Sequence, residues 1–261
     1  MAPVVSISFF RFGGIASRFW VFNQMALARF PLARTPDIGF HRLMGTGTGL
    51  GFRPKPNWGV WTILAVWPSE DVARARTADA PVWRRWRQHA AEDWTVFLNP
   101  ISCRGAWGGA PAFPPDAPRD LAPGERLAVL TRASIKPGSA RTFWSRVPKI
   151  EDALAETRSV RFHIGMGEIP WLHQVTFSIW DDPAEMAQFA HAGGCPHAVA
   201  AREAYDRNWF SEYLFARFAV AGWDGTWNGA APLPPVGTVA PGGPRSGSAP
   251  KGAPRVNPRA G

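Results

Sequence analysis

The stretch Phe40-His41-Arg42-Leu43-Met44-Gly45 decides the fold, because it returns as Phe162-His163-Ile164-Gly165-Met166-Gly167 at an offset of 122 residues. Similar recurrences precede and follow it, always in the same order and with small changes of offset. A collinear series of this kind predicts an internal duplication, and a duplication fixes the architecture. The further matched pairs are Trp20 and Trp144, Trp67 and Trp180, Pro81 and Pro196, Trp94 and Trp209, and Trp107 and Trp227.

Both halves predict the same order of elements, strand-helix-strand-strand-helix-strand. Two such units can cover each other's bare sheet faces. The predicted fold class is therefore α+β, with two ferredoxin-like βαββαβ repeats in one chain that form an α+β barrel. The predicted strands are 4–12, 38–44, 60–67 and 96–102, then 127–135, 160–166, 173–180 and 213–220, and the predicted helices are 15–28, 81–94, 138–156 and 183–210.

Composition divides the chain into four segments. Residues 3–110 and 125–230 carry the repeats, and 111–124, with five prolines, is the predicted linker. The segment 231–261 holds eight Pro and six Gly, which predicts a disordered tail.

Composition and charge exclude several classes of protein. The chain has 261 residues, 46% of them hydrophobic, so it is neither disordered throughout nor dependent on disulfides. Its net charge of +9 falls to +5 without the basic tail, which fits a membrane surface or an acidic electron donor better than nucleic acid. No apolar run reaches the length of a membrane span, and no signal peptide is recognisable, so a cytoplasmic protein is expected.

The motifs of several enzyme classes are missing. The Gly-rich segment 45–51 resembles a phosphate loop, but Phe52-Arg53-Pro54 follows it instead of a helix, so a β–β loop is predicted. Cys103 and Cys195 have no metal-ligand spacing. Histidines are therefore the remaining candidates for catalysis.

Two histidines, His173 and His197, differ from their counterparts in the repeat. His41 and His163, by contrast, occupy equivalent positions, which favours a structural role for both. His173 replaces an apolar residue of the first half. His197 opens the last long helix, where small residues would let a flat ring approach a neutral imidazole that could ligate haem iron. These small residues include Ala200, Ala201 and Ala204.

Seven segments resemble one family over residues 4–230, nearly without interruption. They are Phe9-Phe10-Arg11-Phe12, Met25-Ala26-Leu27-Ala28-Arg29, Gly45-Thr46-Gly47-Thr48-Gly49, and residues 80–87, 91–97, 172–180 and 207–212. The chain resembles the acyclic carotenoid 2-ketolase (spheroidene monooxygenase) family of purple photosynthetic bacteria. The resemblance implies an enzyme that contains haem b and introduces a keto group at C-2 of acyclic carotenoids such as spheroidene. Its co-substrate would be O₂ and its electron donor reduced ferredoxin. For this activity we expect two successive hydroxylations at one carbon, and from the remaining positive charge we expect peripheral contact with the photosynthetic membrane.

The expected ligand of the haem iron rests on a second resemblance, which concerns placement in the fold and not a shared motif. Aldoxime dehydratases share the duplicated barrel and carry a histidine near the start of the final helix of their C-terminal half, a placement that His197 matches. His197 is therefore the expected axial ligand of the haem iron, and Ala200, Ala201 and Ala204 are expected beside the cofactor. His173 is the alternative ligand, or a catalytic group on the distal side. The expected substrate pocket comprises Trp171, Phe177, Trp209 and Phe210.

Two other functions stay open at this point. One is a carotenoid or lipid carrier without enzymatic activity, and the other is a barrel monooxygenase that needs no cofactor. Because Trp83, Trp86 and Trp171 have no partner in the repeat, they are candidates for contact with substrate or membrane.

Overall fold

The computed structural model describes residues 3–48, 53–192 and 195–233. Both halves show the predicted order of elements. The first half contains β1 (Val4–Arg11), α1 (Ile15–Leu27), α2 (Arg29–Ala33), β2 (His41–Thr48), β3 (Arg53–Trp67), α3 (Glu70–Asp79), α4 (Pro81–His89) and β4 (Glu92–Gly105). The second half contains β5 (Leu127–Ile135), α5 (Ala140–Glu156), β6 (Val160–Gly167), β7 (His173–Trp180), α6 (Pro183–His191), α7 (Pro196–Asp206) and β8 (Phe210–Gly225).

The eight strands form one closed antiparallel barrel in the order β1-β3-β2-β6-β7-β5-β8-β4, and the predicted α+β fold class is confirmed. One seam between the halves is short, since β2 and β6 pair only at Gly45–Gly167 and Thr46–Met166. The other seam, between β4 and β8, runs from Trp94 to Gly105 on the β4 side. The helices lie outside the barrel, so each sheet has an inner face and an outer face.

Apolar side chains fill the inside of the barrel, and a short hairpin closes each mouth. Trp107 and Trp227 occupy equivalent hairpins and are buried in the barrel core. Phe113 and Leu233 follow these hairpins and are fully buried in the same core. The predicted linker and the predicted tail thus each contribute at least one buried side chain to the barrel core. Residues 234–261 of the predicted tail lie outside the described residues.

Two tryptophans that were candidates for surface contact lie in the core. Trp83 and Trp86 of α4 are fully buried against the outer face of the first sheet, and the indole Nε1 of Trp83 donates a hydrogen bond to Ser8 Oγ at 2.9 Å. The prediction that they meet substrate or membrane is wrong. An amphipathic helix must bury its apolar stripe, and here the adjacent sheet receives it.

Trp94 belongs to a strand rather than to the predicted helix 81–94, because α4 ends at His89. It pairs with Phe9 in the register of β1 and β4, and the corresponding pair in the second half is Arg132 with Leu214. The predicted equivalence of Trp94 and Trp209 is therefore wrong. Helix α7 has 11 residues against 9 in α4, and its connection to β8 is also longer, so the offset between the halves increases across this region.

Replacing Trp83 with Ala tests the packing of the first half. We expect a loss of about 3–5 kcal/mol in the free energy of unfolding, because the change leaves a cavity and removes a buried hydrogen bond. Denaturant unfolding measures it, with the exposed neighbour Arg84→Ala as a control expected to change stability by less than about 0.5 kcal/mol. A similar small loss in both variants would contradict the packing described.

Candidate functional site

The outer faces of the two sheets differ sharply, although the halves are equivalent. In the register of β3 and β7, the pair Val4–Trp67 corresponds to Leu127–Trp180. Counting back along both strands, the first half has three apolar residues that are buried, whereas the second has three polar residues that are partly exposed. These matched positions are Trp61 and Gln174, Ile63 and Thr176, and Ala65 and Ser178.

Strands β6 and β5 of the second half also carry smaller side chains at matched outer-face positions. Gly165 of β6 stands where β2 has Leu43, and Ala133 of β5 stands where β1 has Phe10. The helices match this change, because α4 buries Trp83 and Trp86 whereas α7 buries Ala200 and Ala204. At these positions the second half carries less aromatic volume on both the sheet and the helices, although Phe215 of β8 stands where β4 has Thr95.

We call this layer the outer cleft: the space between strands β6, β7, β5 and β8 and helices α5, α6 and α7. Its floor is made of Thr131, Gly165, Gln174, Thr176, Ser178 and Phe215, and its helical wall of Phe143, Trp144, Phe189, His197, Ala200 and Ala204. The strands β5 and β7 have neighbours on both sides, so solvent can reach their outer faces only between helix and sheet. The partial exposure of Thr176 and Ser178 therefore shows that the layer is incompletely filled.

One row across the floor carries two nitrogen-bearing side chains. Arg217, Val129, Ser178 and His163 are neighbours across β8, β5, β7 and β6. His163 is buried with both ring nitrogens shielded, and burial lowers its pKa from the ordinary 6.5 to about 4. The Nε atom of Arg217, which stands where the first half has Phe97, is likewise shielded from solvent. The imidazole is therefore neutral at neutral pH, and the guanidinium supplies a positive charge to the floor.

The lowered pKa of His163 predicts a pH-dependent stability. In the unfolded chain the His163 imidazole binds a proton near pH 6.5, whereas in the folded chain it binds one only near pH 4. The contribution of His163 to the free energy of unfolding is therefore constant above pH 6.5. It declines by about 3 kcal/mol in all as the pH falls towards 4. In denaturant titrations, His163→Gln should reduce this decline of stability with falling pH. His41→Gln, at the equivalent and partly exposed position, should show the same decline as the wild type. An unchanged decline in His163→Gln would refute the role given to His163.

His197 lies on the helical wall of the outer cleft. Its ring centroid is 5.1 Å from that of Phe189 on α6, and its Nδ1 atom is shielded from solvent. His197, Ala200 and Ala204 follow one another at three- and four-residue spacing on one stripe of α7. Ala201, by contrast, is exposed. The stripe presents one imidazole beside two minimal side chains, which leaves room for a flat ring.

His173 lies elsewhere, at one mouth of the barrel. Its Nδ1 is 3.8 Å from Glu168 Oε2, and the same carboxylate accepts a 2.9 Å hydrogen bond from Trp107 Nε1. Arg42 pairs with Glu168 at 2.9 Å. His173 shares the inner-face register of β7, so the structure does not bring it together with the stripe of α7.

The four residues predicted for a substrate pocket are separated. Phe177 lies in the barrel core, with its ring 6.1 Å from that of Phe9, on the opposite face of β7 from the outer cleft. Trp209 is buried behind the end of α7, where its amide nitrogen donates to Ala204 O at 3.0 Å. Phe210 and the exposed Trp171 lie beside two aromatic residues of α5, Phe143 and Trp144.

That aromatic pair was not predicted as part of a site. Phe143 packs 6.0 Å from the Phe210 ring, and Trp144 lies 6.4 Å from the Trp171 ring and donates from Nε1 to Trp171 O at 3.0 Å. Phe189, Gln174 and Thr176 were missed as well. A position-by-position comparison of the two halves is the signal that could have found the floor residues, since bulk is lost in only one half.

Two further observations concern the described part of the chain. Among these residues, no three His, Cys, Asp or Glu side chains come close enough together to hold a metal ion. None of the helices in the same ranges combines the length and the apolar character needed to cross a membrane.

Comparison with known proteins identifies clear relatives, although no protein-family model matches. A spheroidene monooxygenase of Rhodobacter capsulatus is 51% identical over 231 residues, covering 88% of this chain and 95% of the relative. Spheroidene monooxygenases of Cereibacter sphaeroides and Rubrivivax gelatinosus are 43% and 32% identical, covering 96% and 82% of this chain and 75% and 81% of the relatives. Among solved structures, an aldoxime dehydratase matches with a TM-score of 0.55 at 9% identity, over 84% of this chain and 81% of that one. This last likeness concerns the fold alone.

Proposed function

The chain belongs to the spheroidene monooxygenase family, and from this premise we propose that it introduces a keto group at C-2 of acyclic carotenoids such as spheroidene, yielding spheroidenone. Each of two hydroxylations at one carbon consumes O₂, two electrons and two protons and releases water. The resulting gem-diol then loses water to give the ketone. Haem b is the proposed cofactor, reduced ferredoxin the proposed electron donor, and peripheral contact with the membrane the proposed route to the substrate.

One observation carries the assignment of haem to this chain: in the C-terminal half, small or polar residues replace aromatic ones at matched positions of β5 and β7, and the last helix buries alanines where α4 buries tryptophans. The residues left there fit a flat, mostly apolar macrocycle that needs a neutral nitrogen ligand on one side. His197 would supply that nitrogen, Ala200 and Ala204 would admit the ring plane, and Arg217 could neutralise a propionate. When bound, haem supplies the activation of O₂.

In this proposal the protein itself binds the polyene substrate and excludes bulk water. Phe143, Trp144 and Phe210 offer aromatic surface to a long polyene at the rim of the cleft. The helices cover the floor and keep bulk water from the reacting carbon, while Thr176 and Gln174 provide polar groups that can orient a bound molecule or hold a proton. His163 stays neutral at neutral pH because of its burial.

The electron donor is proposed on charge. Without the tail, the chain has 25 basic and 20 acidic residues, so its positive surface favours encounter with an acidic partner. Salt should therefore slow reduction by ferredoxin without changing the bound haem.

The proposal is tested on protein purified from haem-replete cells. We expect a Soret band that shifts on reduction with dithionite and on addition of CO, stoichiometric iron, and O₂-dependent ketone formation from spheroidene. Bound pigment without iron or turnover would favour a carrier, and turnover by an iron-free protein would favour a cofactor-free monooxygenase. Either result would overturn the assignment of haem.

A further inference from the structure

Helix α1 and the short helix α2 that continues it expose an apolar stripe to solvent. We call it the α1 stripe: Ile15, Phe19, Phe22 and Phe30, with Leu27 and Trp58 beside it, each between 48% and 86% exposed. At 3.6 residues per turn, the first four fall on one side of the helical path. Phe22 packs on Trp58 with ring centroids 5.1 Å apart, which joins the stripe to the start of β3.

The stripe inverts the usual pattern of a surface helix. Val21, Gln24, Ala28 and Leu32 face the protein and are buried, and the side opposite to them, which ordinarily carries polar residues, carries the phenylalanines. Monomeric soluble proteins rarely expose a contiguous apolar surface of this kind without a partner. The stripe therefore requires an explanation beyond the packing of the chain itself.

The charges around the stripe specify the partner. Residues 13–36 contain Arg18, Arg29 and Arg34 and no acidic residue. Arg85 of α4 joins them across a shallow groove that Leu27 and Pro31 also line. The first acidic residue along the chain, Asp37, is paired with Arg76 at 2.5 Å. An aromatic and aliphatic face bordered by arginines is the composition of helices that lie in the surface of an anionic bilayer.

We propose that the α1 stripe is a docking surface for an anionic phospholipid bilayer, with helix α1 lying in the plane of the headgroups. The proposal rests on the peripheral membrane contact proposed above and assigns that contact a surface. The position of the stripe suits a lipid-borne substrate. Trp61, which lies 6.5 Å from Phe22, begins an outer-face row that crosses the short seam through Gly45 and Gly167 to Gln174 on the floor of the outer cleft.

Co-sedimentation of the full chain with vesicles tests the proposal. We expect binding to phosphatidylcholine vesicles that contain phosphatidylglycerol, and weak or no binding to phosphatidylcholine alone. Phe19→Asp and Phe30→Asp should each weaken binding at least about tenfold, because an inserted apolar side chain is replaced by a charge of the wrong sign. Arg34→Gln should weaken it about fivefold, and high salt should do the same for the wild type.

Tyr205→Asp is the matched control, since Tyr205 is exposed on α7, away from the stripe, and it should bind vesicles like the wild type. The substituted side chains are exposed, so circular dichroism should show unchanged folding. The proposal would be overturned by equal binding to both kinds of vesicle or by unaltered binding of the Phe19 and Phe30 variants. It would also be overturned if the wild type bound neither kind of vesicle and formed a dimer that these variants dissociate. The Soret band of the same preparations is read independently, so failure here is distinguishable from failure of the haem assignment.

Discussion

Replacing His197 with Ala is expected to remove haem from the purified protein. The imidazole lies on the helical wall of the outer cleft, beside Ala200 and Ala204. In our proposal it is the ligand through which the protein would hold the haem iron. Its loss should lower haem content and ketone formation by at least roughly a hundredfold, since changes even in the partners of a metal ligand cost tens-fold. The Soret absorbance per polypeptide measures the effect, and added imidazole should restore part of it.

His173→Ala is the matched control, because His173 lies at the barrel mouth beside Glu168 and not in the cleft. It should keep its haem and its Soret band. If His173→Ala loses haem while His197→Ala retains it, the ligand assignment is wrong, and the alternative ligand considered from the sequence takes its place. Loss of the Soret band in neither variant would place the cofactor outside both sites.

Replacing Ala200 with Trp should close the outer cleft by restoring the kind of bulk that Trp86 provides in the first half. An indole on this stripe would occupy the space proposed for the macrocycle, so haem binding and ketone formation should fall by roughly two orders of magnitude or more. Thermal stability should be kept or raised, because the layer gains apolar contacts where it is incompletely filled.

The neighbouring exposed residue supplies the control for this prediction. Val199→Trp adds the same indole on the solvent side of α7 and should retain haem and activity. A strongly destabilised Ala200→Trp protein would show that α7 already packs tightly on its sheet, and full activity in that variant would show that the cofactor does not lie against this stripe. Each of these outcomes contradicts the outer cleft as the haem site.

Much of the fold could be predicted from local patterns. The strands 127–135 and 173–180 match the structure at both ends, because alternating burial of side chains leaves a direct imprint on the sequence. Trp94 was misplaced for an equally clear reason. It falls on the helical spacing of Trp83 and Trp86, and only the pairing of β4 with β1 puts it inside the barrel.

The candidate site was predicted less completely. His197 could be singled out because a proline and small residues mark the start of a helix next to it. Phe177 and His173 were also assigned to the site, yet both belong to the inner face of β7, opposite to the outer cleft. The strand pattern alone does not say which face turns inward, so residues of the barrel core and residues of the cleft could not be separated.

The sequence by itself determined the duplication, the order of elements, the barrel class and the family, because each of these is written in local periodicity or in aligned residues. Only the tertiary structure decided what the tryptophans and histidines do. Closing the barrel turns Trp94 inward, buries Trp83 and Trp86 under α4, and leaves Phe19 and Phe30 in solvent. The reason is physical: burial depends on which elements pack together across the chain, and identical side chains become core, cleft or docking surface according to the neighbours that the fold supplies.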